Sequence, residues 1–549
     1  MRRVLLLLLL FSASLPLPAQ TDPARKEVGI FYFAWLGQHP GEQTGIYDIT
    51  RLREGHPSDL YDTKGTPLSP LHKYHFWSEP LYGYYNSADP WVITRHMELL
   101  MAAGIDYIIF DTTNGYIYTD VVRTVLETLL GFQGQGLPVP KVSFYTHAVS
   151  DRTVHELYEA FYAGGRYDSL WYRPRGKPMI VGVTCDNKGS ADMNPPLFPM
   201  YIRDAYRSYF DVREAQWPTM PTDPASFPWM SWSYPQEIHD GVVSVSVAQH
   251  STRKILFSDT LFTRGRGYDA PSGRNLHDQV RSGRNFQNQW DTAISRPDSV
   301  RNVFVTGWNE WATIKYVFDG EVGFVDTFSE EFSRDIEMMK GGYEDRFYLQ
   351  LARNVRDFKK KGPALLSPSR IAGELVFSDP EGDAIVRDHV DFARTGRYAD
   401  SSARNDFVRV AVSRTRSRIR FRIETARDVT PWAVGDSTWM NVLIRTESVG
   451  GRPFPYDFVI GRHPGQGGRT SLERISADGI RHLGQVRYRV SGNEMRVSVP
   501  LSLLGLSRKD VRFCIKLADH VTHPFDRMDY YISGDSAPIG GLDYEVDGL

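Results

Sequence analysis

From residue 27 to about residue 310 the chain alternates short apolar runs with longer amphipathic ones. Residues 28–35, VGIFYFAW, are apolar almost throughout, as are 105–111, 141–146, 178–183, 242–248 and 302–308. Runs of this length bounded by turn residues predict buried strands, whereas 90–103, 119–130, 151–162, 197–210 and 284–294 carry apolar residues at helical spacing. The first of these helices has Asp89 as N-cap, Pro90 at its first position and Gly104 as terminator. Strands that are apolar on both faces and alternate with helices predict a parallel sheet covered on both sides. With further strand-like runs at 211–217 and 227–233, the pattern predicts an α/β fold, a (β/α)8 TIM-type barrel over residues 27–362. No GxGxxG follows the first strand, so a dinucleotide-binding fold loses its main support.

The pattern changes near residue 361, after a last helix at about 343–360 and a basic, proline-containing join, FKKKGPALLSPSR. Beyond it the period is two. Val408, Val410 and Val412 alternate with polar or small residues, and Ile419, Phe421 and Ile423 alternate with Arg418, Arg420 and Arg422. Further strands read at 438–445, 456–461, 485–490, 494–499 and 511–517. These predict an antiparallel β-sandwich over 371–549.

Residues 1–20 read as a signal peptide: Arg2 and Arg3, an apolar run from Val4 to Phe11, then small and proline-rich residues to Ala19 and Gln20. The run is shorter than the roughly 20 residues of a spanning helix. The expectation is an exported protein, periplasmic or extracellular, with no stable membrane insertion after cleavage. A net charge of −2 without a basic tract argues against a nucleic-acid partner. Cys185 and Cys514 fall in different predicted domains and read as free thiols. No metal-binding motif is present, so the chemistry is read as metal-independent and free of cofactors. The loop aspartates leave room for a structural Ca2+. Oligomeric state stays open.

Barrels of this class place their chemistry at the C-terminal ends of the strands. Those ends carry Tyr32 and Trp35, then Asp111, Tyr145 and His147, Trp229 and Trp232, Gln249 and His250, and finally Trp308, Asn309, Glu310 and Trp311. Paired carboxyl groups with aromatic platforms are the equipment for cleaving glycosidic bonds. Glu310 is the candidate acid and Asp111 the second carboxylate. His147 and Asn309 are candidates for orienting a sugar, and Tyr32, Trp35, Trp232, Trp308 and Trp311 for contacting it. Each also has a structural reading: Asp111 as a helix cap, Glu310 as the partner of a buried arginine, His147 and any one tryptophan as packing. Two rivals remain open. One is a glycan-binding protein without catalysis. The other is a polysaccharide lyase, for which Arg264, Arg266 and Arg274 could neutralise a uronate.

Residues 303–311, VFVTGWNEW, resemble the last barrel strand of the glycoside hydrolases of families 71 and 99. The strands IFYFAW and DYIIFDTTN look like the same group, and the resemblance spans about residues 27–360. It implies a barrel glycosidase acting on a glycan, with Glu310 matching the first Glu of the EWxE motif of the family 99 endo-mannosidases. The position of the second Glu is held here by Thr313. The part beyond about 371, with GDAIVRDHVDF and the strands NDFVRVAVS and RIRFRIETA, looks like family 9 carbohydrate-binding modules.

Overall fold

The computed structural model describes residues 25–39, 45–184, 201–217, 222–250, 256–257, 263–446, 454–507 and 511–549. The leader at 1–20, Cys185 and the start of the helix expected at 197 lie outside these residues.

Eight parallel strands form the first unit: β1 (Glu27–Tyr32), β2 (Tyr107–Thr112), β3 (Lys141–Thr146), β4 (Met179–Gly182), β5 (Asp211–Gln216), β6 (Phe227–Pro228), β7 (Val242–Val245) and β8 (Asn302–Val305). Their order is β6-β5-β4-β3-β2-β1-β8-β7, with the short strand Ile238–His239 added antiparallel to β7. β1 is central, pairing Gly29 with Tyr107 on one side and Phe304 on the other. Gly29 is required there, since a Cβ would sit 2.1 Å from the Tyr107 ring.

This nine-stranded sheet curls into a near-barrel that corrects the (β/α)8 expectation. Among the described residues no ladder joins β6 to β7; the seam is bridged by bonds such as Ser231 N–H to Ser244 Oγ at 3.0 Å. Among the described residues, too, no helix separates β5 from β6 or β6 from β7. β6 is two residues long, not the seven expected at 227–233.

Beyond two short helices at Ile49–Gly55 and Pro57–Leu60, the helices among the described residues are α1 (Pro90–Ala103), α2 (Thr119–Gly134), α3 (Ser150–Leu157), α4 (Asp204–Tyr209), α5 (Arg284–Ile294) and α6 (Arg346–Lys359). α1 starts as its sequence dictates. Asp89 accepts the Trp91 N–H at 3.0 Å, and Gly104 ends the helix at φ 78°. No helix among the described residues is long and apolar enough to cross a membrane.

The C-terminal unit is built on a continuous antiparallel sheet of 12 strands, with a separate hairpin at Arg387–Val390 and Arg397–Asp400. It folds over its own apolar face, bringing Phe377 onto Tyr544 and Phe421 onto Phe513, with ring centroids 4.6 and 6.3 Å apart. The expected sandwich-like core is therefore made by one sheet. Cys514 is a half-buried free thiol.

Phe392, Met528, Tyr531 and Ile539 of this unit belong to the core of the barrel. Arg387 donates to Asp89 at 2.8 Å, and Arg527 pairs with Asp345 at 2.7 Å; both aspartates are buried. A chain ending at residue 365 loses these partners. Each large apolar side chain withdrawn from a core costs about 1.5–3 kcal/mol. The truncated chain is expected to aggregate or melt well below the full chain, as a thermal scan of the soluble fraction will show.

Candidate active site

β8 ends at Val305, and the next six residues cross the barrel mouth. Gly307 adopts φ 119°, and a Cβ there would meet the Arg334 carbonyl oxygen at 2.7 Å. The segment around Arg334 is thereby laid against the strand end. The Ile336 and Glu337 N–H groups both donate to Trp308 O, and Glu310 N–H donates to Asp335 Oδ1 at 2.6 Å. The Arg334 guanidinium, 2% exposed, donates through Nη2 to Glu310 Oε2. Its Nη1 lies 3.5 Å from Asp326 Oδ1, and its plane rests 5.0 Å from the Trp229 ring.

Asp326 arrives on an element that the alternation of strands and helices does not foretell. The hairpin Ala312–Phe318 and Glu321–Val325 follows β8 and pairs with Tyr74–Phe76. Asp326 leaves it at φ 64° and accepts the His250 Nε2 proton at 3.0 Å. Thr313, on the facing strand, donates its hydroxyl to the Val325 carbonyl, one residue before Asp326. Asp111, at the end of β2, accepts from the Thr113 N–H at 3.0 Å and hydroxyl at 2.7 Å. It is a turn acceptor, not the cap of α2.

Two carboxyl groups, Glu310 and Asp326, thus share one guanidinium. Burial pushes the Glu310 carboxyl well above its ordinary range, against the pull of Arg334 and with help from Asp326, Asp335 and Asp111. Burial also works to raise Asp326, but Arg334 and the His250 bond outweigh it and hold that carboxyl low. Asp111 is raised by burial against its two Thr113 bonds. Asp335 is pushed up to about 6 by burial. Burial holds the His250 imidazole down despite Asp326.

Aromatic rings frame the group. Trp35 packs on Tyr74 at 4.9 Å, and Glu310 is among the charges that raise the Tyr74 hydroxyl after burial itself. His147, Trp217 and Trp229 form a column with spacings of 4.3 and 4.4 Å that ends on Arg334. Burial pushes His147 down to about 4, so it is a neutral ring at neutral pH. Trp232, half-buried, lies 5.5 Å from His250.

The structure therefore places Asp111 within electrostatic reach of Glu310, and connects Trp35, His147 and Trp232 to the same group through Tyr74, the Trp217–Trp229 column and His250. It does not bring Tyr32, Trp308, Asn309 or Trp311 to the mouth, and their expected sugar contacts are corrected. Trp308 is 0% exposed and packs on His96 and Tyr348. Trp311, also fully buried, stacks on Trp77 at 4.3 Å and donates to Glu337 at 2.5 Å. Tyr32 bonds His96 at 3.0 Å, and His96 bonds Glu337 at 3.0 Å. Asn309 takes the Phe33 N–H at 2.9 Å and returns a bond to the Phe33 carbonyl at 3.0 Å, tying the segment after β1 to the one after β8. These side chains are committed to partners below the mouth.

Of the loop arginines, Arg266 is corrected, while Arg274 lies exposed on the strand Arg274–Asn275. Arg266 is fully buried between Tyr343 and Phe347, and donates to the Asp335 carbonyl at 2.7 Å. Arg264 donates to the Trp232 carbonyl at 2.6 Å. Asp326 and Arg334 have no antecedent among the strand-end residues, whereas His250 and Trp229 lie at strand ends.

Trp308→Ala is expected to cost about 3–5 kcal/mol of stability, the usual range for truncating a buried aromatic. Trp232→Ala, on the rim, is expected to leave the thermal midpoint little changed. Scanning fluorimetry of the two variants separates scaffold from rim.

No protein-family model matches the chain, and no curated protein matches it. Among solved structures, it is similar to the GH99 endo-alpha-mannosidase from Bacteroides thetaiotaomicron. The identity is 14% over 61% of this chain and 98% of that one, with a TM-score of 0.36. The same enzyme in complex with bis-tris-propane gives a TM-score of 0.33. A glycoside hydrolase-like protein is 13% identical over 62% of this chain and 97% of that one, with a TM-score of 0.34. At such scores the functional reading is carried by the site itself.

Proposed function

We propose that the chain is a glycoside hydrolase whose reaction takes place between Glu310 and Asp326. The observation that carries this is the pair of carboxyl groups on one guanidinium, Glu310 and the part-exposed Asp326 on Arg334, with Asp335 and Asp111 acting on Glu310 electrostatically, among aromatic rings at the strand ends. One cation cannot fully neutralise both. The environments drive Glu310 and Asp326 apart, which is how one carboxyl keeps its proton while the other stays ionised. Glu310 then protonates the glycosidic oxygen as the bond breaks, and Asp326 supplies the second carboxylate, toward water or the anomeric carbon. Asp111 takes the place of a hydroxyl acceptor.

Asp326 also accounts for Thr313. The carboxylate that the family resemblance expects at 313 comes from the adjacent strand, one residue past the carbonyl that Thr313 holds. Trp35, Tyr74 and Trp232 are the rings in place for a sugar face. The leader at 1–20 supports an exported enzyme acting on a poly- or oligosaccharide.

The pairing of Glu310 with a buried arginine favours a second reading, a glycan-binding protein without turnover. Release of reducing ends from a panel of plant and microbial polysaccharides decides between them. Hydrolysis of one class, abolished by boiling, supports the enzyme. Binding with no product from any bound glycan supports the second reading and removes the first.

A further inference from the structure

Away from the barrel mouth, α1 lies between the barrel and the C-terminal sheet, and its residues from Trp91 to Ala103 are all buried. Glu98 is 1% exposed, and no group outside the acidic cluster donates a hydrogen bond to either carboxylate oxygen; its hydrogen-bonding neighbour is the Asp383 carboxyl itself. It is aimed at aspartates of the other unit. One oxygen each from Glu98, Asp379 and Asp383 lies within 4.8 Å of the others, and the same holds for Asp383, Asp406 and Asp535.

Three of these aspartates are gripped from behind. Tyr544 OH donates to Asp379 Oδ1 at 2.7 Å, Gly382 N–H to Asp406 Oδ2 at 2.8 Å, and Phe407 N–H to Asp535 Oδ2 at 2.6 Å. Asp379 Oδ2, Asp406 Oδ1 and Asp383 Oδ1 are left buried with no hydrogen-bond donor from outside the cluster, the Asp383 and Asp406 carboxyls lying within hydrogen-bonding reach of each other. Carboxylates fixed through one oxygen and presenting the other are the arrangement in which outer contacts orient metal ligands.

The local charge is one-sided. Lys516 and Arg95 are nearby cations, but their hydrogen bonds go to carbonyls: Lys516 Nζ to Pro538 O, and Arg95 Nη2 to Gly534 O at 3.4 Å. Five acids outnumber them. Buried carboxylates in excess of the counter-charge around them are costly. An all-oxygen donor set with no His or Cys suits a hard cation, and several carboxylates at irregular angles suit Ca2+ better than the strict octahedron of Mg2+.

We propose that Glu98, Asp379, Asp383, Asp406 and Asp535 bind Ca2+ at a centre built around Asp383, and that the ion clasps α1 of the barrel to the C-terminal sheet. Ca2+ binding here is a property of the junction and is independent of the reaction at the mouth. Its loss loosens the contact between the units.

The test uses the full chain, purified without chelator, dialysed against Ca2+ and then against metal-free buffer. Elemental analysis is expected to find about one equivalent of calcium or more per chain. EDTA is expected to lower the thermal midpoint by about 5 °C or more, with recovery on adding Ca2+ but not Na+. Terbium luminescence, sensitised by Tyr544 beside Asp379, is expected to rise with Tb3+ and fall with competing Ca2+. Asp383→Asn is expected to abolish all three responses. Wild-type protein that retains no calcium, with a midpoint indifferent to EDTA and Ca2+ at pH 7, overturns the proposal and leaves a cluster held together by protons. If Asp383→Asn does not fold, the wild-type measurements decide alone.

Discussion

Glu310→Gln is expected to lower turnover by at least about two orders of magnitude, the usual scale of a lost general acid. The substitution keeps the size and shape of the side chain. Its amide oxygen can still accept from Arg334, and the main-chain bond to Asp335 Oδ1 is untouched. What disappears is the proton. In the proposed mechanism that proton is retained because burial raises the Glu310 carboxyl while Arg334, shared with Asp326, holds the latter low. The variant should therefore bind glycan with near-native affinity and melt close to the native temperature, while product release falls. A purely structural Glu310 gives the opposite pattern, with a lowered midpoint and normal turnover in the folded fraction. Parallel measurement of kcat, glycan affinity and thermal midpoint distinguishes the two. A folded variant with native turnover would falsify the acid assignment and with it the proposed reaction.

Much of the barrel is readable from periodicity because each element obeys a local rule. α1 begins at Pro90 behind its Asp89 cap and ends at Gly104, and α5 spans 284–294 as its spacing predicts. The failures have physical causes. β8 was expected to run to 308, but Gly307 turns the chain at φ 119° so that Arg334 can lie against it. That turn decides the fates of the neighbouring side chains: Trp308 and Trp311 go inward, and Glu310 goes to the mouth. A linear motif such as WNEW cannot reveal this division. The alternation of Ile314, Tyr316 and Phe318 with Lys315 and Val317 is a visible strand signal, yet it falls where the barrel rule expects no strand. Asp326, which that hairpin delivers, consequently goes unseen. α1 reads as amphipathic through Trp91, Ile93, Met97, Leu100 and Met101, but the C-terminal unit covers its other face. Only that covering makes Arg95 and Glu98 buried charges, and no periodicity within the helix announces it.

Arg334→Met is expected to be the most damaging single change at the mouth, with an effect that depends on pH in a defined direction. The guanidinium is the counter-charge for Glu310 and Asp326, and Met preserves much of its apolar contact with Trp229. Removing one partner of a buried ion pair costs about 3–5 kcal/mol, because the remaining charge is stranded. In the native protein Asp326 is held below its unfolded value, so it contributes stability above that value, near pH 4 for an ordinary aspartate, and loses it as pH falls through the folded value. Without Arg334, burial dominates and Asp326 rises, as Glu310 already does. Both groups then oppose folding at neutral pH and cease to do so once they are protonated in the unfolded chain as well. The stability gap between native and variant protein should therefore be largest near pH 7 and narrow as pH falls toward 4. Catalysis should shift in step. Asp326 must be ionised to act as the second carboxylate, so the acidic limb of kcat/KM should move to higher pH in whatever variant remains folded. Urea unfolding at pH 7 and at pH 4.5, with a pH–rate profile, tests both expectations. A gap that is the same at both pH values would mean that Arg334 acts through packing alone, and an unmoved acidic limb would remove Asp326 from the reaction.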